Sequence, residues 1–128
     1  METTLIEIPP FLLDWSARIP WDRLARDART DPQGISMPDG PGVCEARLAT
    51  SESRLTIGKA SNLRMRVKQR LVKGKVPHSC GKRIRQTEPT AQILIRWAET
   101  DGPACVEEEL HRRHIAVHGE LPKYTERT

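Results

Sequence analysis

Four side chains near the carboxyl end of the chain have the donor types of a metal centre. Glu107, His111, His114 and His118 stand at offsets of 4, 7 and 11 residues from the first. At about 100° per residue these offsets fall within an arc of about 60°, so on a helix all four share one face. Histidines three and four residues apart with a carboxylate are acceptable Zn²⁺ ligands. Geometry limits the set, because a straight helix rises about 1.5 Å per residue and spreads ligands two and three turns apart over more than ~10 Å. At most His111 or His114 can join Glu107 on one ion. Histidines turned to solvent or to a nucleic-acid phosphate are the simpler expectation.

A second chemical signal is electrostatic. The 128 residues carry 21 Lys and Arg against 17 Asp and Glu, a net charge of +4. Between Arg54 and Thr87 stand eleven basic residues and no acidic one, which leaves ten basic and seventeen acidic residues, a net of −7, for the rest. A +11 segment inside an otherwise acidic chain is the footprint expected of a phosphate-backbone binder. With only 4% aromatic residues, a stacking platform for single-stranded nucleic acid is not supported. No apolar run approaches the roughly 20 residues of a membrane span. The start, Met1-Glu2-Thr3-Thr4, lacks the features of a secretory signal, so a cytoplasmic location is expected. Cys44, Cys80 and Cys105 lie 36 and 25 residues apart, a spacing that fits neither a disulfide framework nor paired metal knuckles.

The elements that must position these groups can be read from pattern and punctuation. Residues 1–40 form an amino-terminal extension and linker, with a short helix around residues 20–26 and a Pro/Gly-rich stretch at 31–42. Trp15 and Trp21 are expected to anchor this extension on the domain that follows. In residues 41–128, alternation predicts strands at 43–48 and 54–57, with Gly58 ending the second. Ser61 or Asn62 can cap a helix running to about Lys73, with Leu63, Val67 and Leu71 as its apolar stripe and cations on both borders. Residues 74–90, with two glycines and two prolines, read as a surface loop. A third strand at 91–98 places Ile93, Ile95 and Trp97 on one face. Thr100-Asp101-Gly102-Pro103 reads as the start of a last helix that ends before Gly119. The expected fold is α/β of the α+β kind: a small three-stranded sheet flanked by helices in the order β-β-α-β-α.

Within that frame, Gly42-Val43-Cys44 is followed by Thr56-Ile57-Gly58, then by Lys59-Ala60-Ser61-Asn62-Leu63, with Arg66 eight residues past the glycine. This arrangement, with a glutamate on the helix after the third strand, resembles the GIY-YIG endonuclease superfamily over residues 41 to about 125. The resemblance implies phosphodiester hydrolysis in DNA assisted by one divalent ion, Mg²⁺ or Mn²⁺. It places Arg66 on the phosphate and Glu107 on the metal. The chemistry is sound on its own terms: a guanidinium can hold two phosphate oxygens at once, and a hard divalent ion takes carboxylate and water ligands.

Cys44 and Thr56 stand where the family has its two tyrosines, and Thr125, after the chain's single tyrosine Tyr124, stands where an asparagine is common. Cys44, Thr56 and His78 are therefore the candidates for proton transfer; His78 has a suitable pKa and sits where several family members carry a histidine. Lys59, Arg64, Lys68, Arg70, Lys73 and Lys75 are the candidate DNA contacts. The alternative reading is a module that keeps the fold and binds DNA or a protein partner without cleaving.

Overall fold

The computed structural model describes residues 13–24, 37–72 and 79–125. In chain order these form β1 (Ile19–Pro20), α1 (Trp21–Leu24), β2 (Gly42–Leu48), β3 (Arg54–Ala60), a π-helix (Met65–Val72), α2 (Cys80–Thr87), β4 (Ile93–Glu99) and α3 (Pro103–His118). The α+β class is as expected, but the sheet has four strands rather than three, in the order β1-β4-β2-β3. β2 pairs antiparallel with β4 from Gly42 opposite Glu99 to Leu48 opposite Ile93, and on its other side with β3. The additional strand comes from the amino-terminal segment, Ile19 opposite Ile95. Only two residues long and ending in Pro20, it carries almost no strand signal. A proline with no N–H to donate is tolerated there because the strand lies at the sheet edge.

The pleat assigns alternate residues to opposite faces. On one face Cys44, Ala46, Ile93, Ile95 and Trp97 pack with Leu63, Val67 and Leu71, and Trp21 and Leu24 complete the same buried cluster. The predicted stripe is thus the buried one, although the winding beneath it differs. A repeat of four drifts by about 40° per step on an α-helix, and the wider i→i+5 turns of a π-helix reverse that drift. Asn62 starts the segment, its Oδ1 accepting from the Met65 N–H at 3.0 Å. On the opposite face Val43 and Ala98 pack with Val106 and Leu110 of α3 and with Leu13 and Trp15. Both tryptophans of the amino-terminal segment therefore rest on the sheet, one on each side.

Two expectations are corrected. Residues 80–87 are helical, not loop. Ser79 caps α2 by accepting from the Lys82 N–H at 3.3 Å, and Arg85 Nη1 donates to the Val72 carbonyl at 2.5 Å. Gly81, which read as a loop residue, serves close packing: a Cβ there would lie 2.7 Å from the Arg70 carbonyl oxygen and closer still to that of Leu71. β3 also continues past Gly58 to Ala60. The end of α3 is as expected, with Gly119 at φ 79° closing the helix by donating to the Ile115 carbonyl at 2.8 Å. Among the described residues no helix is long and apolar enough to cross a membrane.

Candidate functional site

A pocket of about 620 Å³ opens where the end of β3, the start of the π-helix and the first turn of α3 meet. Lys59, Arg66 and Arg70 line it, Asp101 is its one acidic residue, and Asn62, Pro103 and Ala104 complete the contact with the two helices. α3 begins at Gly102 without a side-chain cap, so the positive end of the helix dipole adds to the three cations. Arg66 is seated by the strand beneath it. Its Nη2 would lie 2.8 Å from a Cβ at Gly58, so the glycine lets the guanidinium lie flat against β3. Across the ladder from Gly58 is Cys44, whose thiol is hydrogen-bonded to Arg66. Burial pushes this thiol up to about 11, a rise that the charge and hydrogen bond of Arg66 only partly offset. Cys44 is therefore neutral at physiological pH and supports Arg66 from below.

Thr56 lies on the same sheet face and is buried. Its hydroxyl donates to the Tyr124 carbonyl at 3.3 Å, which directs it away from the cations. Arg64 leaves the pocket for an exposed ion pair with Asp39 at 2.9 Å. Lys68 is not among the lining residues. Lys73, Lys75 and His78 lie outside the described residues. Asp101 was legible only as part of a helix-start signal, and nothing in its spacing marked it as facing the cations.

Glu107 borders this pocket without lining it. Its Oε2 accepts from the backbone N–H of Lys59 at 2.7 Å. This contact belongs to a series along the open edge of β3. His111 Nε2 donates to the Ile57 carbonyl at 3.0 Å, the Arg54 N–H donates to His114 Nε2 at 3.0 Å, and the Tyr124 N–H donates to the Leu55 carbonyl at 2.8 Å. The shared face of α3 is thus real, and its task is to satisfy an edge strand that would otherwise present unpaired backbone groups. Glu107 starts the second turn of α3 and has an acceptor role there, beyond compensating the helix dipole.

His114 is fixed in one tautomer. Nε2 must accept from the Arg54 N–H, so Nδ1 carries the proton that it donates to the Glu120 carbonyl at 2.6 Å. Desolvation, and next the neighbouring His118 and Arg54 charges, lower its pKa from the usual 6.5, against the opposing effect of the Glu120 carbonyl. An imidazole that is harder to protonate in the fold than in the unfolded chain stabilises the fold above about pH 6.5, and that stability is lost as the pH falls towards the lowered value. Unfolding free energies from urea denaturation between pH 8 and 5 should fall on the acid side by up to about 1.4 kcal/mol per pH unit, and His114→Gln should flatten that limb. An equally steep limb in the variant would assign the acid sensitivity elsewhere.

Among the described residues no group of three or more His, Cys, Asp or Glu side chains converges to hold a metal ion. Of the carboxylates at this opening, Asp101 lines the pocket and Glu107 is bonded to the backbone of Lys59. Comparison with protein-family models, with curated proteins and with solved structures gives no match for this chain.

Proposed function

We propose that this protein is a nucleic-acid-binding module that holds a phosphodiester of DNA in the pocket between β3, the π-helix and α3. The observation that carries the reading is the convergence of Lys59, Arg66 and Arg70 on one opening beside an uncapped helix start. Arg66 supplies a planar guanidinium for two phosphate oxygens, seated on Gly58 and hydrogen-bonded to Cys44. Lys59 and Arg70 add charge on either side, and the first N–H groups of α3 favour an anion.

A second reading, hydrolysis, is favoured by the position of Glu107 on the backbone of Lys59, a residue that itself lines the pocket. In that reading the protein is a metal-dependent DNA endonuclease of GIY-YIG-like type, with Arg66 on the scissile phosphate and Glu107 on Mg²⁺ or Mn²⁺. The ion would polarise the phosphate and stabilise the leaving oxygen. Neither Cys44, held protonated by burial, nor Thr56, engaged with Tyr124, serves as the base in this arrangement. For that reason the binding reading stands first.

Supercoiled and branched DNA incubated with the protein and Mg²⁺ or Mn²⁺ separates the two. Salt-sensitive binding without nicking is the expected result. Nicking that disappears in Glu107→Ala would establish the endonuclease reading, and absence of DNA binding at low salt would overturn both.

A further inference from the structure

The pocket between β3, the π-helix and α3 is larger and less uniformly basic than a phosphate requires. Its volume of about 620 Å³ is on the order of twenty times the share of one water in the liquid. A phosphate group has the bulk of a few waters and leaves most of that space open. Part of the lining is apolar, with Met65, Pro41, Pro103 and Ala104 beside the three cations. Met65 is 45% exposed and directly precedes Arg66, on a turn that Asn62 Oδ1 holds by accepting from the Met65 N–H at 3.0 Å. An exposed thioether and two proline rings add nothing to the binding of a bare anion.

Asp101 is the second feature that a phosphate does not explain. It stands in the same lining, where its negative charge repels a phosphodiester. Among the described residues it forms no hydrogen bond or ion pair, so none of the three cations neutralises it by contact. An ionised carboxylate only accepts hydrogen bonds, and its two oxygens can accept them side by side. The phosphates and deoxyriboses inside a DNA strand are acceptors without a donor hydrogen. The donors that DNA can offer Asp101 are therefore on the bases.

We propose that the pocket takes a whole unpaired nucleotide of DNA, with Arg66 on its phosphate, Met65 and the proline rings against its base, and Asp101 on the base edge. The inference rests on the DNA-binding reading above and narrows its substrate to DNA with a nucleotide outside the stack. In a paired duplex the Watson–Crick edges bond to each other and the bases stay stacked. An extruded nucleotide exposes that edge, which a pocket reads by hydrogen bonds while apolar side chains cover the ring. Methionine suits such a contact because its unbranched, polarizable side chain adapts to the surface it meets. Guanine fits Asp101 best. Its N1–H and N2 amino group are adjacent donors for the two carboxylate oxygens, whereas the other bases each offer a single donor group on that edge.

Binding of the full chain at low salt, followed by fluorescence anisotropy, compares a duplex with one bulged guanine, the same duplex with a bulged thymine, and the fully paired duplex. The bulged-guanine duplex should bind about tenfold more tightly than either of the others. Asp101→Asn should act in opposite directions, weakening the bulged-guanine complex about tenfold and strengthening the paired one by removing a repelling charge. Met65→Ala should weaken the bulged complexes and leave the paired one unchanged, with Met65→Leu restoring them. Both side chains are exposed, so the variants keep the fold. Equal binding of bulged and paired duplexes, lost alike in Arg66→Gln, would overturn this inference and leave the DNA reading standing. Tighter binding of all three duplexes by Asp101→Asn would also overturn it, confining the carboxylate to the dipole of α3. No binding of any duplex would overturn both readings.

Discussion

Glu45→Gln is expected to lower the stability of the fold by about 3 kcal/mol. The substitution preserves shape and leaves an oxygen to accept one hydrogen bond. It removes the one carboxylate that, among the described residues, Arg18, Arg54 and Arg96 share. These guanidiniums are mostly buried, with side chains 17–27% exposed, so water cannot fully replace the lost charge, and their mutual repulsion is left unopposed. Urea denaturation should show a lower midpoint with an unchanged slope. A loss below about 1 kcal/mol would place these contacts among solvated surface pairs.

Arg66→Ala is expected to weaken binding of duplex DNA by about ten- to a hundredfold at low salt, the range of one charge-assisted hydrogen bond or a bidentate pair. The same change also removes the hydrogen bond to the Cys44 thiol, so a melting curve must accompany the affinity. The control is Arg64→Ala. Arg64 is equally basic and only two residues away, but it is exposed and paired with Asp39 outside the pocket. Its loss should change affinity by no more than about threefold. Equal effects at positions 64 and 66 would mean that charge density alone, and not the pocket, attracts DNA.

Much of this arrangement was legible in the chain, and the parts that were not have identifiable causes. Period-two alternation marked β2, β3 and β4, because each has one face against the buried cluster. The four-residue repeat of Leu63, Val67 and Leu71 marked the buried stripe, although not the π winding that carries it. β1 was hidden because two residues ending in proline have no period. α2 was hidden because Gly81 signals a turn locally and is required for contact with the Arg70 and Leu71 carbonyls, which lie 11 and 10 residues away in sequence. The common face of Glu107, His111 and His114 followed from helix geometry. That the partner of the face is the β3 backbone depends on which strand lies at the sheet edge, and periodicity does not encode strand order. Glu45 looked like an ordinary strand residue. Its register opposite Arg96 and Ile57 makes it the centre of an ion network.

The most direct test of the central claim is the salt dependence of duplex binding, measured for the wild-type chain and for the combined variant Lys59→Gln, Arg66→Gln, Arg70→Gln. Each phosphate contact contributes about 0.9 to the slope of log K against log salt. If the three cations act together on DNA phosphates, the slope should become shallower by about 2.7 in the variant, with affinity falling at every salt concentration. An unchanged slope in a folded variant would contradict the account, because the pocket would then make no phosphate contact.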